Sequence, residues 1–157
     1  MQKPKPVDKA EKKALADIEK YGLHVIHVLE DDSGPEFSYS VGLFESYGHP
    51  EIIIFGLRSE LSLVLLNNMG HDIKSGKVFK AGEFDDGVLD GFLCYFGKVP
   101  KKQYIDYVGW DRWLYGSNDF PLVQCVYPTV DGIFPWEKDF PKETHWYCPM
   151  LTNAPKN

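Results

Sequence analysis

Four consecutive apolar residues, Ile52-Ile53-Ile54-Phe55, constrain the fold of this chain more strongly than any other stretch. A strand that is exposed on one face alternates apolar and polar residues, and this run contains no polar position. The run therefore predicts a central strand that is covered on both faces. Pro50 is compatible with the start of such a strand, where its missing N–H costs little.

The patterns on both sides of this run predict the remaining elements. Apolar alternation and aromatic enrichment predict further strands at residues 23–29, 37–44, 77–84, 91–96 and 120–127. Apolar stripes with capping signals predict helices at residues 9–21, 59–73 and 100–115. Glycine, proline and acidic residues predict loops or turns at residues 30–35, 45–50 and 85–87. In the 37–44 strand, bulky and small residues alternate, which predicts a half-buried strand. An alternative interpretation is that the small face leaves room for a flat ligand to approach the backbone.

This order of elements predicts an α+β fold. We expect a single domain with a mostly antiparallel, barrel-like sheet, two main helices and an N-terminal helix, because 157 residues suit one domain. Residues 1–7 alternate Lys and Pro and are expected to form a disordered tail. The domain is expected at residues 8–137. Residues 138–157 are expected to form an irregular C-terminal extension, with Trp146 and Tyr147 as anchors.

Charge and composition narrow the classes of function. A net charge of −6 argues against nucleic-acid binding, which needs a basic surface, and would steer a basic protein partner toward this chain. No apolar run approaches the length of a membrane span, and the N-terminus lacks the apolar core of a signal peptide. The three cysteines are expected to be reduced thiols in the cytoplasm. No metal site is predicted, since the odd spacing of His24 and His27 points them to opposite faces of a strand.

Four candidate ligand-binding residues flank the central strand. His49 and Glu51 stand at its entrance. Residues at such a position serve equally often in a site or in hydrogen bonds to a loop, so both interpretations stay open. Arg58 and Ser59 follow it at the predicted start of a helix, where backbone amides can hold a phosphate, although helix capping also explains the Ser. One small ligand is expected to use one pair or the other.

The other candidates are mostly aromatic. Aromatic residues make up 15% of the chain, and the helix predicted at 100–115 carries rings on most of its sides. Tyr107, Trp110 and Trp113 are therefore candidates for a groove or an interface. Gln124 lies within an apolar strand, where it must be hydrogen-bonded or contact a ligand. Trp136 completes the candidate set.

Several segments, taken together in this order, resemble a known family. They are Gly22-Leu-His-Val-Ile-His-Val, Phe37-Ser-Tyr-Ser-Val-Gly-Leu-Phe, Gly48-His-Pro-Glu-Ile-Ile-Ile-Phe-Gly-Leu, Gly91-Phe-Leu-Cys, Tyr107-Val-Gly-Trp, Gln124-Cys-Val-Tyr-Pro and Gly132-Ile-Phe-Pro-Trp. From about Ile18 to Trp136 the chain resembles the bacterial domain of unknown function family numbered 4262, a name that implies no activity. The order of elements is also similar to that of flavin-binding split barrels, by topology alone.

These observations lead to two main hypotheses about function. The first is a small soluble binding protein that acts through an acidic, aromatic-rich surface or cleft on a protein partner, for example by neutralising a toxin. The alternative is an enzyme of the split-barrel type that binds FMN or a nucleotide, with Arg58 and Ser59 at the phosphate and Trp110 or Trp113 stacked on the ring. A third idea, a nucleophilic Cys94 or Cys125, is disfavoured by their apolar surroundings. Whether the protein is an enzyme is left open.

Overall fold

The strands of this protein form one open sheet. The computed structural model describes residues 3–156, and its six strands are β1 (His24–Val28), β2 (Phe37–Val41), β3 (Glu51–Phe55), β4 (Glu83–Leu89), β5 (Phe92–Lys98) and β6 (Leu122–Val126). They lie in the order β1-β2-β3-β6-β5-β4. Every neighbouring pair is antiparallel except β3 and β6, which are parallel. The predicted α+β class and mostly antiparallel sheet are confirmed, but the sheet is not closed, so "barrel-like" describes it only loosely.

Within residues 3–156, five α-helices accompany the sheet. They are α1 (Lys9–Tyr21), α2 (Leu43–Tyr47), α3 (Ser59–Lys74), α4 (Tyr104–Tyr107) and α5 (Gly109–Tyr115), with short 3-10 helices at Lys101–Gln103 and Lys142–Tyr147. No helix between residues 3 and 156 has both the length and the apolar character that crossing a membrane requires. Met1 and Gln2 of the tail predicted at 1–7, and Asn157 of the predicted extension, lie outside the described residues.

Strand β3 is the buried centre that its apolar run predicts. All five of its residues are buried. Its side chains alternate between two core clusters, because successive residues of a strand point to opposite faces. Ile53 and Phe55 join the cluster that also contains residues of α4 and α5. Ile52 and Ile54 join the cluster that contains the buried face of α3. The sheet is therefore covered by helices on both faces.

Strand β2 is shorter than predicted and is followed by a helix. It ends at Val41, and α2 occupies residues that the sequence predicted as strand and loop. The prediction of one strand over 37–44 and a loop over 45–50 is therefore wrong. Gly42 adopts φ 110°, a left-handed conformation that turns the chain into α2. All five residues of β2 are buried, so the half-buried strand was also wrong: both faces are covered by the rest of the chain.

The strand predicted at 77–84 also has different limits. Strand β4 begins only at Glu83 and continues through the Asp85-Asp86-Gly87 segment that the sequence predicted as a turn. The hairpin to β5 turns at Asp90 and Gly91 instead. Cross-strand pairing sets these limits, with Glu83 opposite Phe96 and a shift of register between Asp85 and Leu89. A bulge of this kind accommodates residues that look like a turn in the sequence.

The helix predicted at 100–115 is interrupted. The 3-10 helix runs directly into α4, which ends at Tyr107. The next residue, Val108, leaves the helical region with φ −115° and ψ 53°, and α5 starts at Gly109. The Trp110 amide at the start of α5 donates a hydrogen bond of 3.1 Å to the Tyr39 hydroxyl of β2. This bond satisfies an amide that has no partner within the new helix. The interruption separates α4 from α5, which pack on the same face of the sheet.

The predicted start of α1 is correct, whereas the predicted start of α3 is displaced by one residue. Helix α1 begins as expected, with the Asp8 carboxylate accepting a hydrogen bond of 2.8 Å from the Glu11 amide, and it ends at Gly22 with φ 88°. Ser59 was predicted to cap α3, but Arg58 occupies the N-cap position and Ser59 is the first helical residue. Within residues 3–156, the Arg58 side chain forms no hydrogen bond that would cap this helix.

Candidate functional site

A cleft of about 530 Å³ opens at one end of the sheet. It lies where β1 ends, β2 begins and β3 ends, three points that coincide because these strands run antiparallel. Helix α4 and the C-terminal segment complete its walls. The lining residues are Val28, Leu29, Asp31, Ser33, Gly34, Pro35, Phe37, Phe55, Asp106, Tyr107, His145, Trp146 and Pro149. Its volume is within the range of ligand-binding clefts in proteins.

Three aromatic rings from three elements meet at this cleft. The Phe37 and Phe55 ring centroids are 5.1 Å apart, and Tyr107 lies 5.6 Å from Phe37 and 5.5 Å from Phe55. Tyr107 packs edge-on against both rings, a favourable geometry for aromatic pairs. Phe37 and Phe55 are almost fully buried, so they form a rigid apolar base. The half-exposed Trp146 adds a fourth ring to the wall.

The polar part of the cleft is acidic. The carboxylate of Asp31 accepts hydrogen bonds from the Ser33 hydroxyl (2.6 Å) and the Ser33 amide (2.8 Å). These bonds hold the pKa of Asp31 below its usual value, so it is ionised at neutral pH. Asp106 is exposed on α4. Within residues 3–156, neither carboxylate has a Lys or Arg partner at ion-pair distance, and no Lys or Arg lines the cleft. The cleft therefore combines aromatic surface with uncompensated negative charge.

The C-terminal segment forms the outer wall of the cleft. The Trp146 indole donates a hydrogen bond of 3.1 Å to the Glu30 carboxylate, which joins this segment to the acidic loop between β1 and β2. At Gly56, with φ 80°, a Cβ atom would lie 2.4 Å from the Tyr147 carbonyl oxygen. Only glycine permits both this conformation and this close approach. The buried anchors of the segment are Phe140, Leu151 and Thr152 rather than the predicted Trp146 and Tyr147, which remain about half exposed.

Gln124 fixes this wall from the interior. Its carboxamide oxygen accepts hydrogen bonds from the amides of Leu151 (2.8 Å) and Thr152 (3.2 Å), and its nitrogen donates to the Pro149 carbonyl (2.7 Å). The side chain is buried on β6 and does not line the cleft. Gln124 is thus hydrogen-bonded, as its buried position required. It positions the segment that carries Trp146.

Glu51 lies at the opposite end of β3, in the interior. Its carboxylate accepts hydrogen bonds from the Ser40 hydroxyl, from the Tyr115 hydroxyl at 2.5 Å, and from the three amides of residues 42–44 at 3.0–3.2 Å. Burial raises the pKa of Glu51, and these donors oppose that rise by favouring the charged form. The three amides are those at the start of α2. Glu51 therefore holds α2 in place, at a position that solvent does not reach.

Asp111 is a buried carboxyl group that sequence reasoning missed. It lies on α5, is fully buried, and neither of its oxygens has a hydrogen-bond partner among the described residues. Burial, followed by the nearby charge of Glu51, raises the pKa of Asp111 well above its ordinary value. Glu51 has donors that stabilise its charge and Asp111 has none, so we assign the shared proton of the pair to Asp111.

His49 is also internal. Its Nε2 atom accepts a hydrogen bond of 3.0 Å from the Phe79 amide, and its Nδ1 atom donates one of 2.8 Å to the Pro50 carbonyl. Both ring nitrogens are therefore engaged within the protein, and the ring must be neutral for Nε2 to accept. Burial lowers the pKa of His49, which is consistent with this assignment. The sequence allowed His49 to be either a site residue or a residue that hydrogen-bonds a loop, and this geometry matches the second.

The remaining candidates are dispersed. Arg58 and Ser59 stand at the start of α3, on the face of the sheet opposite Trp110 and Trp113, which pack on each other with centroids 5.4 Å apart. The structure therefore does not bring the proposed phosphate-binding and ring-stacking residues together. Trp136 stacks on Phe134 at 4.6 Å, beside β4 and β5. In the described part of the chain, no three His, Cys, Asp or Glu residues are grouped so that they could hold a metal ion.

Tyr107 is the one sequence candidate that lines the cleft. Asp31 lies in the loop predicted at residues 30–35 and is not among the sequence candidates, and neither are Asp106 and His145. One signal was present in the sequence: Asp106 directly precedes Tyr107 in an aromatic segment. The contribution of Phe37, Phe55 and the C-terminal segment depends on contacts between distant parts of the chain, which no local pattern reveals.

Comparison with protein families gives one match. A family model described as "Domain of unknown function (DUF4262)" matches residues 17–141, which is most of the chain. The resemblance inferred from the sequence segments is thereby confirmed, and the description names no activity. Comparison with curated proteins and with solved structures finds no match.

Proposed function

Because the chain belongs to the family described as Domain of unknown function (DUF4262), whose description names no activity, we propose its function from the cleft. The protein is a binding module that takes a basic segment of a protein partner into the cleft between the acidic loop, α4 and the C-terminal segment. The observation that carries this proposal is the combination of an aromatic base with two carboxylates that lack basic partners within residues 3–156.

The chemistry of the cleft favours a basic occupant. Tyr107 and Trp146 expose part of their rings to the cleft, and aromatic rings of this kind are common at energetically important interface positions; the buried Phe37 and Phe55 rings support Tyr107 from below. Two carboxylates on its rim attract positive charge, and the net charge of −6 steers a basic partner toward the protein. The segments that form the cleft also carry exposed apolar side chains, including Leu29 at 76%, Ile105 at 64% and Tyr147 at 49% exposure. Neutralisation of a basic toxin surface is one form that this function would take.

The flavin alternative receives less support from these contacts. The FMN phosphate requires donors and positive charge, whereas the cleft presents Asp31 and Asp106. Arg58 and Ser59 are not among the residues that line it. A purified protein that is yellow, or that gains thermal stability with added FMN, would restore this alternative.

Pull-downs with paired variants test the proposed function. Asp106→Asn and Trp146→Ala alter the cleft, whereas Asp131→Asn removes one exposed charge outside it. We expect proteins that are retained by the wild type and by Asp131→Asn to be lost with both cleft variants. Folding of each variant is verified by its thermal unfolding. If the three variants and the wild type retain the same proteins, the binding surface is elsewhere and the proposal is refuted.

A further inference from the structure

We infer that the group recognised in the cleft is a guanidinium, presented by an arginine side chain of the partner segment. This inference rests on the proposed function and adds the chemical identity of the ligand group. It depends on three features of the cleft: its aromatic surfaces, the position of its carboxylates and the absence of Lys and Arg from the described residues that line it.

The aromatic surfaces favour a cation that is flat. A positive charge within about 6 Å of a ring face is attracted by the ring quadrupole. Arginine is also planar, so it stacks on rings, and it is more weakly hydrated than the lysine ammonium group. The Phe37 and Phe55 rings are too buried to stack on a ligand themselves, but they hold Tyr107 in place through edge-on contacts. Tyr107 and Trp146 supply the more exposed ring surface.

The carboxylates favour a group with several N–H donors. Asp31 belongs to the loop after β1 and Asp106 to α4, so negative charge reaches the cleft from two of its sides. The guanidinium has five N–H donors in a fixed plane, and it pairs with carboxylates through two parallel bonds. A lysine ammonium group has three donors and no plane, so it matches rings and carboxylates together less well.

Within the described residues, no Lys or Arg of the protein itself pairs with the carboxylates of the cleft. Glu30, beside the cleft, accepts the Trp146 indole N–H. Asp31 is held by Ser33, which orients its carboxylate and leaves it charged. The charged basic residues that form ion pairs in the described chain, Lys3, Lys13, Lys77 and Lys101, pair with other carboxylates. The Phe84, Phe134 and Trp136 cluster beside β4 is a second aromatic surface, but none of the described residues that line the adjacent pocket is Asp or Glu.

Titrations with small probes test this inference. The probes are a blocked Gly-Arg-Gly peptide, its lysine and citrulline analogues, and free butylguanidine. Binding is followed by NMR of the cleft residues and by tryptophan fluorescence, with Trp146→Ala identifying the contribution of Trp146 among the four tryptophans. We expect the arginine peptide to bind more tightly than the lysine peptide, and citrulline, which is neutral and of the same shape, to bind at least about tenfold more weakly. Asp106→Asn should weaken binding of the arginine peptide by about fivefold, whereas Asp131→Asn should leave it unchanged.

The outcomes distinguish a failure of guanidinium recognition from a failure of the proposed function. Equal binding of the arginine and citrulline peptides in the cleft refutes guanidinium recognition and leaves partner binding intact. Butylguanidine that binds more tightly than the arginine peptide confirms guanidinium chemistry but identifies a free small cation as its source, against a protein segment. If no probe perturbs cleft residues and the cleft variants also retain every partner in the pull-downs, both proposals fail.

Discussion

Replacing Asp111 by Asn should make the stability of the protein less dependent on pH. Asp111 is fully buried without a hydrogen-bond partner among the described residues, and burial followed by the charge of Glu51 raises its pKa well above the ordinary value. In the unfolded chain the group has a pKa of about 3.9. The folded protein therefore binds the Asp111 proton more tightly than the unfolded chain does.

The sign of the effect follows from this difference in proton binding. Below about pH 4 the group is protonated in both states, and its contribution to stability is fully present. As the pH rises, the unfolded chain releases the proton first, so the free energy of unfolding falls by up to about 1.4 kcal/mol per pH unit. The fall ends when the pH passes the folded-state pKa. Asp111→Asn cannot release a proton, so its stability should rise relative to the wild type across this window.

Neighbouring groups do not obscure the measurement. The charged and titratable residues near Asp111 are Glu51 on β3, Tyr39 on β2, Tyr104 on α4 and Tyr115 on α5. Burial raises the pKa of all three tyrosines, that of Tyr104 to about 12, so they stay neutral at physiological pH. Glu51 is unchanged in the variant and retains its five donors.

Urea unfolding between about pH 4 and about pH 8 provides the assay, since the stability difference between variant and wild type is read at each pH. Asp131→Asn, at an exposed position, is the control and should give a curve parallel to the wild type. If Asp111→Asn does not fold, Asp111→Leu tests the same point with an apolar side chain. A difference that stays constant with pH would refute the reasoning, because it would mean that Asp111 titrates alike in both states.

Three further substitutions test other parts of the interior. Glu51→Gln should destabilise the protein by about 3 kcal/mol or more in urea unfolding, because an amide group would face N–H and O–H donors; a loss below about 1 kcal/mol would contradict the assigned bonds. Gln124→Ala removes three hydrogen bonds and should lower the free energy of unfolding by about 2–3 kcal/mol. It should also speed proteolysis of the C-terminal segment, whereas the control Gln103→Ala should not. Equal proteolysis of the two variants would contradict the anchoring role of Gln124. Burial lowers the pKa of His49, so its stability contribution is present above the unfolded pKa of about 6.5 and is lost as pH falls; His49→Gln should flatten the stability curve below that pH, and an unchanged slope would oppose this.

Local sequence patterns predicted the elements that local physics determines. The apolar run Ile52–Phe55 could only be a strand covered on both faces, and this is its environment in β3. Helix α1 carries its own start and end signals in Asp8 and Gly22, so its limits followed from the chain alone. Gln124, polar within an apolar strand, had to be hydrogen-bonded if it was buried.

Contacts between distant residues decided what the local patterns could not. The segment after Val41 becomes helix α2 because Glu51, several residues later, accepts hydrogen bonds from its first amides. The helix expected at 100–115 is interrupted at Val108, and Tyr39 from β2 satisfies an amide of the new helix. Propensity alone cannot include such partners, since tertiary contacts outweigh its small energies.

The sequence by itself determined the fold class, the buried central strand and the acidic, aromatic character of the protein, because these depend on composition and short-range periodicity. The tertiary structure alone decided where that character is concentrated. Antiparallel pairing places three strand ends at one end of the sheet, and only this arrangement brings Phe37, Phe55 and Tyr107 to the same cleft as Asp31 and the C-terminal segment. Pairing register is a property of the whole sheet, so no single stretch of the chain encodes the cleft.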